Sequence, residues 1–421
     1  MDTFPRRVAK IRRAGRRIFG GGWLRRRLNA AGSKRIAAIF KNNITRGRVE
    51  MTFPGGFTGI FEGREDGPVA RVFVHRWRAI WRFALGGTLG MARGYIEKDW
   101  TTPDLVSVVE LGAANTGSLR TTLKGMGWIR ALQRWRHLRR ANSPRGSRKN
   151  ITFHYDLGNA FYGQWLDPGM TYSSAIFCGD NPSLEEAQKE KYRRLLDLLE
   201  VKPGERILEI GCGWGGFAEY AAKERGARVV GITLSHEQVA FARKRIARAG
   251  LENQVSIRYR DYRKVDETFD HVVSIEMFEA VGEKYWESYF AKIYAALKPG
   301  GRAALQVITI DSHVFEEYRK GVDFIQAYIF PGGMLPSLDA LKREVERAGL
   351  VWLEANSFGP QYVRTLGLWR ERFDVACKSN ALGDDFDETF RRIWTYYLSY
   401  CEGGFRGGSI DVYQVCFTRR E

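Results

Sequence analysis

Cysteine is scarce and scattered in this 421-residue chain. Cys178, Cys212, Cys377, Cys401 and Cys416 form no CxxC pair and have no cluster of histidines beside them. That pattern excludes a disulfide framework or a zinc site and points to a reducing cytosol. No apolar run reaches the roughly 18–20 residues needed to span a bilayer. The N-terminus lacks the uninterrupted apolar core of a secretory signal. Acidic residues are missing altogether from 126–150, and neither an internal repeat nor a long low-complexity segment is present. These absences predict a cytoplasmic protein, soluble or peripheral to the inner face of a membrane.

What is abundant is positive charge. The formal net charge is +19, from 67 Lys and Arg against 48 Asp and Glu, which implies an anionic partner, either nucleic acid or an acidic membrane surface. A hydrophobic content of 44% is ample for a large core, and the length predicts two or three domains. Residues 1–48 are strongly basic, from Arg6 and Arg7 through Arg25–Arg27 to Lys34 and Arg35, with Phe4, Val8, Ile11, Ile18, Phe19, Trp23 and Leu24 interleaved. A basic amphipathic helix of this kind reads as membrane-contacting; the plainer alternatives are a solvated tail or a helix packed on its own protein. Residues 49–125 predict a small α+β domain, with short antiparallel strands over 49–80 and helices after them. The acid-free stretch 126–150 ends in SPRGSRKN, which has linker chemistry.

Residues 151–421 predict a different domain. From about 190 the pattern alternates strand and helix, which predicts a mostly parallel, Rossmann-like α/β sheet with helices on both faces. Where the strand ERILEI gives way to a helix stands Gly211-Cys212-Gly213-Trp214-Gly215. Glycines at such a turn permit positive φ and close approach of backbone to a ligand, outside the carboxyl ends of the strands. Alone, this pattern fits NAD as readily as S-adenosylmethionine. A dinucleotide site wants an acid about 20 residues on, and the second strand instead ends at Thr233-Leu234-Ser235. KPGG before a late strand also favours a methyltransferase.

Taken together, LEIGCGWGGFAEYAA, GITLSHEQ, MFEAVG and LKPGG, with FHYDLGNAFYGQWLDPGMTYSSAIF before them and YYLSYCEGGFRGGSIDVYQVCF at the end, resemble the cyclopropane-fatty-acid synthase and mycolic acid methyltransferase family. The likeness runs over roughly 150–421, with a weaker echo at MARGYIEKDWTTPDL. It implies a Rossmann-like S-adenosylmethionine-dependent methyltransferase domain behind a smaller N-terminal domain. Tyr172 and Ser173 are then expected to line the cofactor pocket, and Gly211, Cys212, Gly213, Trp214 and Gly215 to cradle its amino-acid portion. Thr233, Leu234 and Gln238 are expected at the ribose, and Asp261 and Tyr262 beside the adenine. The same resemblance assigns active-site places to Glu279, Tyr362 and Cys401. It also implies bicarbonate as general base, with Ile308 offering a backbone contact. For Cys401 the alternative is a buried structural thiol; for Glu279 it is an ion pair.

The family methylates an alkene, a weak nucleophile. Methyl transfer from a sulfonium leaves a carbocation, which then loses a proton. The chemistry needs an apolar slot, a cation-stabilising π face or carboxylate, and a base. IFPGGMLPS and the aromatics that follow it are candidates for the slot. Two departures bear on the base: Ser174 stands where many relatives have cysteine, and Gln306 where many bacterial ones have histidine. Loss of the proton from the new methyl gives a cyclopropane, the family's commonest outcome. Loss from the chain gives a methylene- or methyl-branched acyl chain. The basic N-terminus favours anionic phospholipid with unsaturated chains as the partner, and family likeness suggests a homodimer. Rival readings are a nucleic-acid methyltransferase, which the absence of an NPPY-like base-holding motif disfavours, a lipid-binding protein with a decayed site, and a methyltransferase of small molecules or acyl-carrier proteins.

Overall fold

The computed structural model describes residues 43–117, 157–180 and 182–421. Most of the basic segment 1–48 and the whole basic linker 126–150 therefore lie outside the described residues. The chain divides into two compact units: residues 1–135 with 321–324 and 377–409, and residues 136–320 with 325–376 and 410–421.

In the first unit, β1 (Arg46–Thr52), β2 (Thr58–Glu62), β3 (Glu65–Val74) and β4 (Trp100–Thr101) form a sheet in the order β2-β1-β3-β4. The expectation of purely antiparallel strands is corrected here. β1 pairs antiparallel with β2 but parallel with β3. After β2 the chain crosses the start of β1 within two residues, and glycine makes that crossing feasible. A Cβ on Gly63 would lie 2.4 Å from the Thr45 carbonyl, and one on Gly47, at φ +82°, would lie 2.4 Å from the Pro68 oxygen. Side chains alternate as a half-buried sheet requires: Val49, Met51, Phe61, Ala70, Val72 and Val74 are buried, while Ile60, Val69 and Phe73 are exposed.

Behind the sheet, the helix Leu105–Ala114 is started by Asp104, whose carboxylate accepts from Val106 N (3.0 Å) and Ser107 N (3.2 Å). The helix Glu388–Arg406 also belongs to this unit, although the sequence places it deep within the catalytic stretch. It approaches closely at Gly403, where a Cβ would lie 2.7 Å from Val109 Cβ. The echo of the family in MARGYIEKDW has a structural basis. The fully buried Asp99 carboxylate gathers Arg78 (2.7 Å), Arg82 (2.7 Å) and Arg76 (3.4 Å). Removing one member of a buried ion cluster strands the others, so Asp99→Ala is expected to cost about 3 kcal/mol in urea-induced unfolding.

The second unit is built on a seven-stranded sheet: β5 (Arg206–Ile210), β6 (Arg228–Thr233), β7 (Val255–Tyr259), β8 (Phe269–Ile275), β9 (Leu297–Ile310), β10 (Leu350–Ser357) and β11 (Ile410–Arg419). Their order is β10-β11-β9-β8-β5-β6-β7. The strands β5 to β10 all point the same way, and only β11, inserted between β9 and the edge strand β10, runs antiparallel to its neighbours. One core packs the helices Leu184–Leu199, Gly216–Arg225 and His236–Arg248 on one face; a second packs Trp286–Ala296 and Leu338–Arg347 on the other. KPGG, whose composition is that of a turn and which the sequence sets before a late strand, is absorbed into β9 as a bulge. Opposite Phe269 and His271 stand Leu297 and Arg302, so β9 carries the extra residues. Chain order reverses between β5 and β8, which creates a switch point whose carboxyl ends open a crevice for a ligand.

Candidate active site

Each chemically interesting side chain of the second unit follows from that edge of the sheet. β5 runs into Gly211, Gly213 and Gly215, all at positive φ (86°, 51° and 84°). A Cβ on Gly211 would press on Met277 at 2.7 Å, and one on Gly215 on Ala242 at 3.0 Å, whereas the Cβ position of Gly213 faces open space. The turn is therefore held from behind and open in front, as a cradle for a ligand must be. Cys212 and Trp214 are buried supports, Trp214 donating to Asn159 Oδ1 (2.7 Å). β6 ends at Thr233, whose hydroxyl donates to Gln238 Oε1 (2.7 Å), and Leu234 is half-buried beside it. After β7, both oxygens of Asp261 are held by Arg263. Burial pushes that carboxyl up, but the guanidinium more than offsets it, leaving it below the usual range. Tyr262 meets Tyr289 edge-on at 5.2 Å.

Tyr172 stands among rings, 5.4 Å from Trp165 and 5.5 Å from Trp369. The Ser173 hydroxyl accepts from Lys191 Nζ (2.7 Å). Lys191 is wholly buried, and desolvation pulls its ammonium down to about 7 against the attraction of Glu276, Asp167 and Glu209. Glu209, at the end of β5, is 3% exposed with Oε2 unpartnered, and burial pushes its carboxyl up to about 8. A buried acceptor without a donor beside a glycine cradle suits a cationic, donor-rich ligand such as S-adenosylmethionine. A cavity of about 360 Å³ also opens nearby, lined by Asp167, Tyr192, Glu219 and Arg245; its charged wall does not suit an acyl chain.

The densest network lies at the end of β8. Glu276 takes three hydrogen bonds: Ser174 N (2.8 Å), Gln306 Nε2 (2.8 Å) and Tyr362 OH (2.6 Å). The Gln306 amide is oriented by its neighbour on β11, since Gln414 Nε2 donates to Gln306 Oε1 (3.1 Å). The Ser174 hydroxyl donates to the Ala175 carbonyl (3.2 Å). Glu279 follows in a short turn of 3-10 helix, accepts from Ile308 N at 2.6 Å and leaves Oε2 buried without a partner. Burial, then the proximity of Glu276, pushes its carboxyl up to about 8. The expected acceptor segment lies against it: Met334 N donates to the Glu279 carbonyl (2.8 Å), beside a single π-helical turn at Ile325–Ile329.

The structure thus brings together Ser174, Gln306, Tyr362, Ile308 and Glu279, all expected at the site. Cys401 is half-buried on the helix Glu388–Arg406, in the first unit. Sequence reading missed Glu276, Lys191 and Glu209. A signal existed for two of them. Glu276 and Glu279 stand three apart at the mouth of a strand, and Lys191 falls in line with Leu184, Ala187, Gln188 and Leu195 on the buried stripe of its helix. Among the described residues no cluster of metal-binding side chains occurs, and no helix is long and apolar enough to cross a membrane.

A parallel α/β sheet with one antiparallel strand inserted beside its edge and a glycine cradle at its switch point defines an S-adenosylmethionine-dependent methyltransferase, with S-adenosylmethionine as cofactor. The family model for mycolic acid cyclopropane synthetase matches residues 142–415, and the chain belongs to that family. It is 39% identical over 371 residues to the tuberculostearic acid methyltransferase UfaA1 of Mycobacterium tuberculosis, covering 86% of each chain. To the cyclopropane-fatty-acyl-phospholipid synthase of Escherichia coli it is 42% identical over 267 residues, 63% of this chain and 66% of that protein. Among solved structures, mycolic acid cyclopropane synthase CmaA1 complexed with SAH and CTAB superposes with a TM-score of 0.60 at 31% identity, covering 65% of this chain and 98% of that one.

Proposed function

We propose that this methyltransferase acts on the double bond of unsaturated acyl chains in membrane phospholipids. The observation that carries the reading is the placement of two carboxylates, Glu276 and Glu279, beside the cofactor cradle at one edge of the sheet, with the loop 329–337 packed on the second of them. An alkene attacking a sulfonium methyl forms a carbon–carbon bond with its π electrons. The S–C bond breaks towards sulfur, and a cation is left on the chain. Carboxylates held in place where that cation develops, Glu279 ionising in response to the positive charge, are what lower the barrier. Nearby rings, Tyr172, Trp369 and Tyr362, add π faces.

The phospholipid acceptor rests on charge and surface. The net charge of +19 favours anionic headgroups, and each basic residue near such a surface is worth about 1 kcal/mol. The outer face of the first unit's sheet presents Ile60, Val69 and Phe73 beside Arg71, a mixture suited to the boundary between headgroups and acyl chains.

Three products follow from the same cation. A ring forms if the proton leaves the new methyl directly; a methyl-branched alkene forms if it leaves a neighbouring carbon, and a methylene branch forms if a hydride shift moves the cation before the methyl loses its proton. The relative that matches along most of both chains is named a methyltransferase and not a cyclopropane synthase, which favours the branched outcome as a second reading. Deuteromethyl-labelled S-adenosylmethionine with monounsaturated phospholipid vesicles, free fatty acid or acyl-carrier protein separates acceptors and products together. We expect label in vesicle lipids. Mass spectrometry showing three retained deuteria identifies a methyl-branched alkene, and two identify a ring or a methylene branch, which mild hydrogenation separates because only the branch takes up hydrogen; label confined to free acid or carrier protein sinks the phospholipid assignment.

A further inference from the structure

The cation must surrender a proton, and the resemblance assigns its capture to bicarbonate. The residues present do not fit that anion. The donors that would hold it are already given away, since Ser174 N, Gln306 Nε2 and Tyr362 OH all point at Glu276, and Ile308 N points at Glu279. A third anion would also enter a buried space that already repels a second negative charge.

We propose that the carboxylate of Glu276 is the general base of the reaction, built into the chain in place of a diffusible anion. This rests on the reading that an alkene-derived cation is formed. One oxygen of the carboxylate takes the proton, and the electron pair of the broken C–H bond closes the ring or forms the new double bond. Glu276 is left as a neutral acid and returns to its ionised form by releasing the proton after product departs. Gln306, Tyr362 and the Ser174 amide are positioning groups. They bind both oxygens, and Gln414 fixes which end of the Gln306 amide faces the carboxylate.

The backbone supports the assignment independently. Glu276 has φ +47°, a left-handed conformation that costs a long side chain about 1 kcal/mol or more and is held only where the surroundings enforce it. Glycine would sit there without strain. A carboxylate kept at a glycine-favouring position, with three donors converged on it, is one whose side chain is needed.

The proposal is tested on the full chain saturated with S-adenosylhomocysteine in carbon-dioxide-free buffer. Titration with ¹³C-labelled bicarbonate, followed by ¹³C NMR, is expected to show no saturable binding to the wild type and saturable binding to Glu276→Gly. In the deuteromethyl assay, removing bicarbonate leaves wild-type turnover unchanged. Glu276→Gly loses at least about 100-fold and regains part of it with added bicarbonate. Glu276→Gln is equally slow without rescue, because its amide fills the space. Saturable wild-type binding, bicarbonate-dependent wild-type turnover, or bicarbonate-independent turnover by Glu276→Gly each overturn the proposal. The wild-type arms need no variant to fold, and melting curves with S-adenosylhomocysteine binding check both variants. Should no acceptor be methylated in any buffer, the acceptor reading fails, and the binding titration still decides the role of Glu276.

Discussion

Glu279→Gln is expected to lower turnover on the order of 100-fold while leaving affinity for S-adenosylmethionine within about twofold. In the free enzyme, burial and the adjacent Glu276 push the Glu279 carboxyl up to about 8, so it is mostly protonated at neutral pH. A bound sulfonium, and then the chain cation, supplies the opposite charge that favours its ionised form. The amide keeps the size and the hydrogen bond to Ile308 N but has no charge to give. Because kcat/KM reports the free enzyme, it is expected to rise with pH through about 8 in the wild type, and that limb disappears in the variant. Stability moves the other way. A carboxyl raised in the folded state contributes its full stabilisation below its unfolded value near 4.5 and loses it as pH climbs through about 8. Glutamine does not titrate, so urea unfolding is expected to show the variant gaining on the wild type by roughly 4 kcal/mol between about pH 5 and pH 9. Full activity of Glu279→Gln with an unchanged pH profile would remove the residue from the mechanism.

Gly213→Val is expected to weaken S-adenosylmethionine binding at least 100-fold by calorimetry, a loss of about 2.7 kcal/mol or more, with little change in far-ultraviolet circular dichroism. The argument joins two features of one residue. Its φ of +51° is a conformation a β-branched side chain rarely adopts. Its Cβ position has no protein atom within 4 Å, so the added isopropyl group would project into the cradle and not into the core. Gly211→Val offers the contrast: there the new side chain collides with Met277, and loss of stability is expected to accompany loss of binding.

How legible the molecule was in its sequence can be judged at particular residues. The alternation from 190 onward announced the parallel sheet because each strand is buried on both faces and each helix on one, so hydrophobic period and secondary structure coincide. The glycine cradle was legible because positive φ at a strand–helix turn leaves few alternatives to glycine. Glu279 and Gln306 were located through ordered motifs. The parallel pairing of β1 with β3 was not legible, since alternation reports which face is buried and carries no information on strand direction. KPGG looked like a turn for a similar reason: its composition is the same whether a chain reverses or bulges.

Glu276 marks the division most clearly. By itself the chain determined its sheet covered by helices on both faces, its S-adenosylmethionine cradle and its basic surface, because these follow from local periodicity, backbone freedom and summed charge. Only the tertiary structure decided that Ser174, Gln306 and Tyr362, up to about 190 residues apart in sequence, converge on one carboxylate. Hydrogen bonds act over about 3 Å, and no pattern of neighbours along a chain reveals which distant donors a fold will bring within that reach.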